Sequence, residues 1–96
     1  MNDKIKDEHT DFLFEAILSL NSLEDCTNFF DDLCTIAEIK SMAQRLHVAR
    51  LLKNQEHYSN IVNVTGASTA TISRVNRSFN YGSDGYKVVL ERFEDK

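Results

Sequence analysis

The chain predicts an all-α fold of about six helices on three observations. Apolar residues recur at helical spacing in one segment after another, serine and threonine stand where helix N-caps are needed, and none of the 96 residues is proline. A chain of this length makes one domain, residues 1–96, and buries only part of its apolar surface alone, so a second copy would relieve that shortage.

The first helix is expected from about Asp7 to Leu20. Its apolar set (Phe12, Leu13, Phe14, Ala16, Ile17, Leu18, Leu20) is wider than one packed face needs, so two sides should be covered, the second by another copy. Ser22, with Asp25 three residues on, has the form of a capping box and opens a helix over roughly 23–34 whose inner face is Phe29, Phe30, Leu33 and Cys34. Thr35 with Glu38 repeats the signal ahead of a long helix to about Asn54, with the stripe Ile36, Ile39, Met42, Ala43, Leu46, Ala49, Leu51 and Leu52. After the polar break Asn54-Gln55-Glu56 come a short helix from Tyr58 to Val64, a turn at Thr65-Gly66-Ala67, and a helix capped by Ser68 and running to Phe79. Asn80–Asp84 reads as a loop. Tyr86, Val89, Leu90 and Phe93 at i, i+3, i+4 and i+7 mark a closing helix over 85–93, with a fraying tail Glu94–Lys96.

Net charge is −4, unfavourable for nucleic acid until it is divided along the chain. Residues 1–35 hold two lysines against nine acids, −7, residues 36–79 hold six Lys/Arg against two acids, +4, and residues 80–96 add −1. One half is thus suited to face phosphates while the other repels them. No apolar run approaches the ~18 residues of a membrane span, and the start MNDKIKDEHTD lacks the basic and apolar stretches of a secretory signal, so a cytoplasmic protein is expected. Cys26 and Cys34, about 12 Å apart along one helix, read as reduced, buried thiols. His9, His47 and His57 have no partners at metal-ligand spacing, and no nucleophile, base and oxyanion group assemble, so neither a metal site nor an enzyme is expected.

The stretch His57–Phe79, HYSNIVNVTGASTATISRVNRSF, has the spacing of a helix-turn-helix. On a helix starting at Thr69, steps of about 100° put Ile72, Val75 and Phe79 on the packed side and Ala70, Ser73, Arg74 and Arg77 on the other. An N-terminal turn of small methyl and hydroxyl residues suits a DNA major groove. Thr69, Ala70 and Thr71 are the candidates for base edges, whereas Ser73 and Arg77, with Tyr58, Ser59 and Asn60 on the preceding helix, are candidates for phosphates. Ser68 completes the candidate set as cap. Arg74, on the same outer face, is a candidate for a phosphate or surface ion-pair contact. The partner expected is double-stranded DNA, and the alternative is a helical protein–protein interaction module that never touches DNA.

The segment GASTATISRVNRSFNYGSDGY, with QRLHVARLL upstream, closely resembles the Trp-repressor-like YerC/YecD family over Thr35–Phe93, and more distantly the tryptophan repressors. The resemblance implies an intertwined helical homodimer in which residues 1–54 build the dimer and 57–79 bind operator DNA as a transcription regulator, by expectation a repressor. No obligatory cofactor is implied, but tryptophan or another small effector is. Residue by residue, the repressor's amino-acid site falls on Thr35, Arg45, Arg74 and Ser78. Three positions depart from the pattern. Val75 follows Arg74 where the repressor has glycine, Arg45 to Leu52 is one residue shorter than the matching run, and Val62 fills a slot usually held by a small residue.

Overall fold

In a computed structural model, which describes residues 6–94, the chain forms six helices and no strand among the described residues. They are α1 (Glu8–Leu18), α2 (Leu23–Leu33), α3 (Ile36–Lys53), α4 (Tyr58–Thr65), α5 (Thr69–Tyr81) and α6 (Gly85–Glu91). None is long and apolar enough to cross a membrane. The chain divides into two compact units, Met1–Ile39 and Lys40–Lys96, with α3 crossing the boundary.

In the first unit the helix starts are set by side chains acting on exposed backbone donors. Asp7 Oδ1 accepts from the Thr10 N–H at 2.7 Å and Ser22 Oγ from the Asp25 N–H at 3.0 Å. The Thr35 box is closed from both sides: Glu38 N–H donates to Thr35 Oγ1 at 3.1 Å, and Thr35 N–H donates to Glu38 Oε1 at 2.8 Å. The Ser22 box closes only from the hydroxyl side among the described residues, as expected when the reciprocal carboxylate sits on the shorter aspartate. Phe29 and Phe30 meet edge to face, with centroids 5.6 Å apart.

No described residue of this unit is buried in the chain. Phe12 is 70% exposed and Leu18 84%, so the wide stripe of α1 is present but uncovered. The expected inner face of α2 is likewise only half-buried, with Leu33 exposed. Cys26 and Cys34 are free, and half-buried where full burial was expected; Cys34 lies just past the end of α2.

The second unit holds the core. Val48 and Ala49 of α3, Ile61 of α4, Ala67 of the turn, Ile72 and Val75 of α5 and Leu90 of α6 form one buried cluster, flanked by Leu51, Leu52, Val62, Phe79 and Tyr86. Val48 was outside the expected α3 stripe, yet it is fully buried. The reason is that α3 carries apolar residues around much of its circumference. Its Val48 side faces the helix-turn-helix, while Ile36, Met42 and Leu46 of the expected stripe stay exposed.

Three further boundaries differ from expectation. α1 stops at Leu18, where Ser19 turns its hydroxyl back to the Ala16 carbonyl at 2.6 Å. α5 continues to Tyr81, because the Asn80 amide donates to the Asn76 carbonyl and side-chain oxygen at 3.0 and 2.9 Å and extends the last turn. Only residues 82–84 then remain irregular. α6 ends at Glu91, with 92–94 in turns. Glu94, expected to fray, pairs instead with Lys53 at the end of α3. Asp95 and Lys96 lie outside the described residues.

Candidate nucleic-acid interface and effector cleft

The geometry of the helix-turn-helix follows from its turn. Gly66 has φ +71°, a left-handed conformation in which a Cβ is costly, and its N–H donates to the Val62 carbonyl at 2.9 Å to end α4. Thr65 braces the turn: its hydroxyl donates to the Ile61 carbonyl at 2.7 Å and accepts from the Ala67 N–H at 3.0 Å. Gln44 of α3 adds an anchor from outside the motif, donating from Nε2 to the Thr65 carbonyl at 3.2 Å. Ile61, Ile72 and Val75 are at most 1% exposed and Phe79 is half-buried, so the pair is fixed through its inner face.

The opposite face is bare. Ser59, Asn60, Ser68, Thr69, Ala70, Ser73, Arg74 and Arg77 are all exposed, and Tyr58 is 40% exposed. Residues 57–81 contain no acid and two arginines, Arg74 and Arg77, neither of them in an ion pair among the described residues. Ser68 Oγ accepts from the Thr71 N–H and lies against the Thr71 hydroxyl, both at 3.1 Å. That contact leaves Thr71 half-buried, with its hydroxyl already engaged, whereas Thr69 and Ala70 project freely. Asn60 is also partly committed, donating to Glu56 Oε2 at 2.8 Å. The longer α5 adds a residue that the expected boundary had cut off. Tyr81, 87% exposed, stands 11 positions after Ala70 and 7 after Arg74, hence on the same helix line.

Beside this face lies a cleft of about 280 Å³ lined by Met42, Arg45, Arg74, Val75, Ser78 and Tyr86. Three of the four residues matched to an effector site, Arg45, Arg74 and Ser78, therefore share one concavity. Thr35, the fourth, belongs to the first unit, where it is bonded into the capping box with Glu38. The Thr35 backbone N–H, and after it the Thr35 hydroxyl, hold the Glu38 carboxyl below the usual carboxylate range. Met42 and Tyr86 were not among the expected lining residues. Both had been read as members of apolar stripes, and spacing assigns a face without showing where that face is left open. Lys87, next to Tyr86, does not line the cleft; its ammonium lies 5.5 Å from the Phe79 ring centroid and 3.8 Å from Asp84.

Comparison with known proteins agrees with this geometry. The family model described as Trp repressor protein matches residues 8–94. The uncharacterized protein YerC of Bacillus subtilis is 56% identical over 93 residues, spanning 97% of this chain and 89% of YerC. A crystal structure of a TrpR like protein from Eubacterium eligens superposes with a TM-score of 0.94 at 53% identity, covering 98% of this chain and 97% of that one. A candidate Trp repressor from Staphylococcus aureus superposes with a TM-score of 0.93 at 48% identity, covering 98% and 94% of the two chains. The chain belongs to the Trp repressor family, a family of regulators.

Proposed function

We propose that the protein is a cytoplasmic, homodimeric transcription regulator, a repressor, that binds double-stranded DNA through α4 and α5 and responds to a small effector in the adjacent cleft. The observation that carries this reading is the acid-free outer face of the helix-turn-helix, held rigid from within by Ile61, Ile72 and Val75. Thr69 and Ala70 at the start of α5 meet base edges, with Thr71 and Ser68 shaping the turn that presents them. Ser73, Arg77 and the start of α4, Tyr58 to Asn60, contact phosphates and set register. Arg74 serves the cleft.

The dimer is supported by the first unit, whose apolar residues the chain leaves uncovered. Residues 1–54 and 85–93 form the dimer body of a single domain in this reading, and no catalytic role is assigned.

Selection of bound fragments from genomic or random DNA at moderate salt tests it. The expected product is a roughly palindromic motif with half-sites about 34 Å, one helical turn, apart. No enriched motif would favour a protein-interaction module instead. Arg77→Ala should weaken binding to all sequences alike and lower the salt slope by about 1.

A further inference from the structure

We infer that Gln44 of α3 is a positioning residue for DNA recognition: its side-chain amide, bonded to the carbonyl that ends α4, fixes how the helix-turn-helix hangs from α3 and thereby the half-site spacing the dimer accepts. The inference rests on the reading of the protein as a dimeric DNA-binding regulator and names a determinant that lies outside the DNA-facing motif.

A helix end leaves its last carbonyls without partners, and the left-handed Gly66 turns the chain before a following N–H reaches the Thr65 carbonyl. That carbonyl accepts from Gln44 Nε2 at 3.2 Å and from no other group among the described residues. Gln44 and Thr65 are both half-buried, so removing the donor strands an acceptor unless the turn moves outward to water. The amide is a C-cap lent by one helix to another across 21 positions of sequence.

Two attachments define the pose of α4. One is the chain itself, residues 54–57, which joins the end of α3 to the start of α4. The other is Gln44, nine positions before Lys53 and hence about 13.5 Å back along α3 at ~1.5 Å per residue. The eight residues of α4 span about 12 Å, so α4 is tied to α3 near both of its ends. Between the ties, Val48 and Ala49 of α3 share the buried cluster with Ile61 of α4. Apolar packing is non-directional, whereas a hydrogen bond holds one atom against another. Without the Gln44 tie, the link at 54–57 remains as a hinge.

From Thr65 the constraint reaches the base-reading residues in a few bonds. The Thr65 hydroxyl accepts from the Ala67 N–H at 3.0 Å, Ala67 is 2% exposed, and the next residue, Ser68, caps α5 through the Thr71 N–H at 3.1 Å. Thr69 and Ala70 follow directly. In a symmetric dimer a tilt of the motif on α3 is repeated in both copies, so it changes the distance between the two α5 helices.

The test measures the full chain on sites obtained by the DNA selection described above, rebuilt with one base pair added or removed between the half-sites. Gln44→Met is unbranched and of similar length but has no donor. It should lose about three- to tenfold in affinity at the selected spacing, the worth of one hydrogen bond. It should lose less at the altered spacings, so the ratio between spacings falls. A variant that is merely less folded loses the same factor at every spacing, and circular dichroism checks the folded fraction. Gln44→Lys, which returns a donor to a helix C-terminus where positive charge is favoured, should restore the ratio. An equal loss at every spacing, or no loss, would overturn the inference. So would a ratio that Gln44→Lys leaves as low as Gln44→Met does. No enriched motif for the unaltered chain would bring down the regulator reading and this inference with it, whereas a motif whose spacing Gln44→Met reads as sharply as the unaltered chain would sink this inference alone.

Discussion

Met1–Ile39 and Lys40–Lys96 are made of similar material and use it differently. The first unit is the more apolar, with 18 hydrophobic residues among 39 against 22 among 57, yet the seven hydrophobic side chains buried among the described residues all belong to the second. Their charges oppose as well, −8 (two Lys/Arg, ten acids) against +4 (nine Lys/Arg, five acids). Apolar area left in water contributes nothing, while covering it is worth roughly 25 cal/mol per Å². The second unit gains its stability within the chain. In the proposed dimer the first unit gains it from a second copy, and its negative charge would keep that surface off DNA.

Substitutions can break this contrast from either side. The largest effect is expected in the core: Ile72→Ala should cost about 2–5 kcal/mol in urea unfolding, with a loss that does not change with protein concentration. A strong concentration dependence of that loss would show that the second unit, too, depends on assembly. On the other side, Leu18→Asp removes no packing inside the chain. It should nevertheless shift sedimentation toward the monomer and forfeit about 1.5–3 kcal/mol per protomer of assembled stability. An unchanged sedimentation profile would remove α1 from the interface.

A smaller change sharpens the boundary between α3 and the helix-turn-helix. Gln55 ends α3 at φ 63°, with its N–H on the Leu52 carbonyl and the Glu56 N–H on the Leu51 carbonyl at 3.0 and 3.1 Å, an arrangement that usually carries glycine. Gln55→Gly should therefore raise stability, by at most about 1 kcal/mol; a loss would mean that the glutamine side chain contributes more than its backbone strain costs. The smallest effect concerns acid. Because the folded state lowers the Glu38 pKa, its capping contribution is complete above the ordinary carboxylate range and is lost as pH falls through the lowered value. Glu38→Gln should flatten that part of the stability–pH curve, as followed by helical circular dichroism, and an unflattened curve would assign the acid sensitivity to other groups.

Features decided by neighbours in sequence were legible from the start. Ser22, Thr35, Ser68 and Gly66 act within three or four residues, so their pattern suffices to place four helix ends. The end of α5 was not legible, because asparagine usually favours a turn and only its bonding to Asn76 shows that Asn80 continues the helix. Val48 was missed for a related reason: a helix apolar around most of its circumference does not announce which side a single chain will cover. In the cleft, Arg45, Arg74 and Ser78 came through resemblance, whereas Met42 and Tyr86 needed coordinates, since both lie on stripes whose spacing is equally satisfied by a filled core.

Gln44 and Arg45 are consecutive on α3, one anchored to the Thr65 carbonyl and the other lining the cleft. Mechanically, α3 is a shaft carrying two cranks about 100° apart. The Gln44 bond is already at 3.2 Å, and a further lengthening of about 0.4 Å ends it. That one bond is what α3 adds to a turn otherwise held by the Thr65 hydroxyl and the Gly66 N–H.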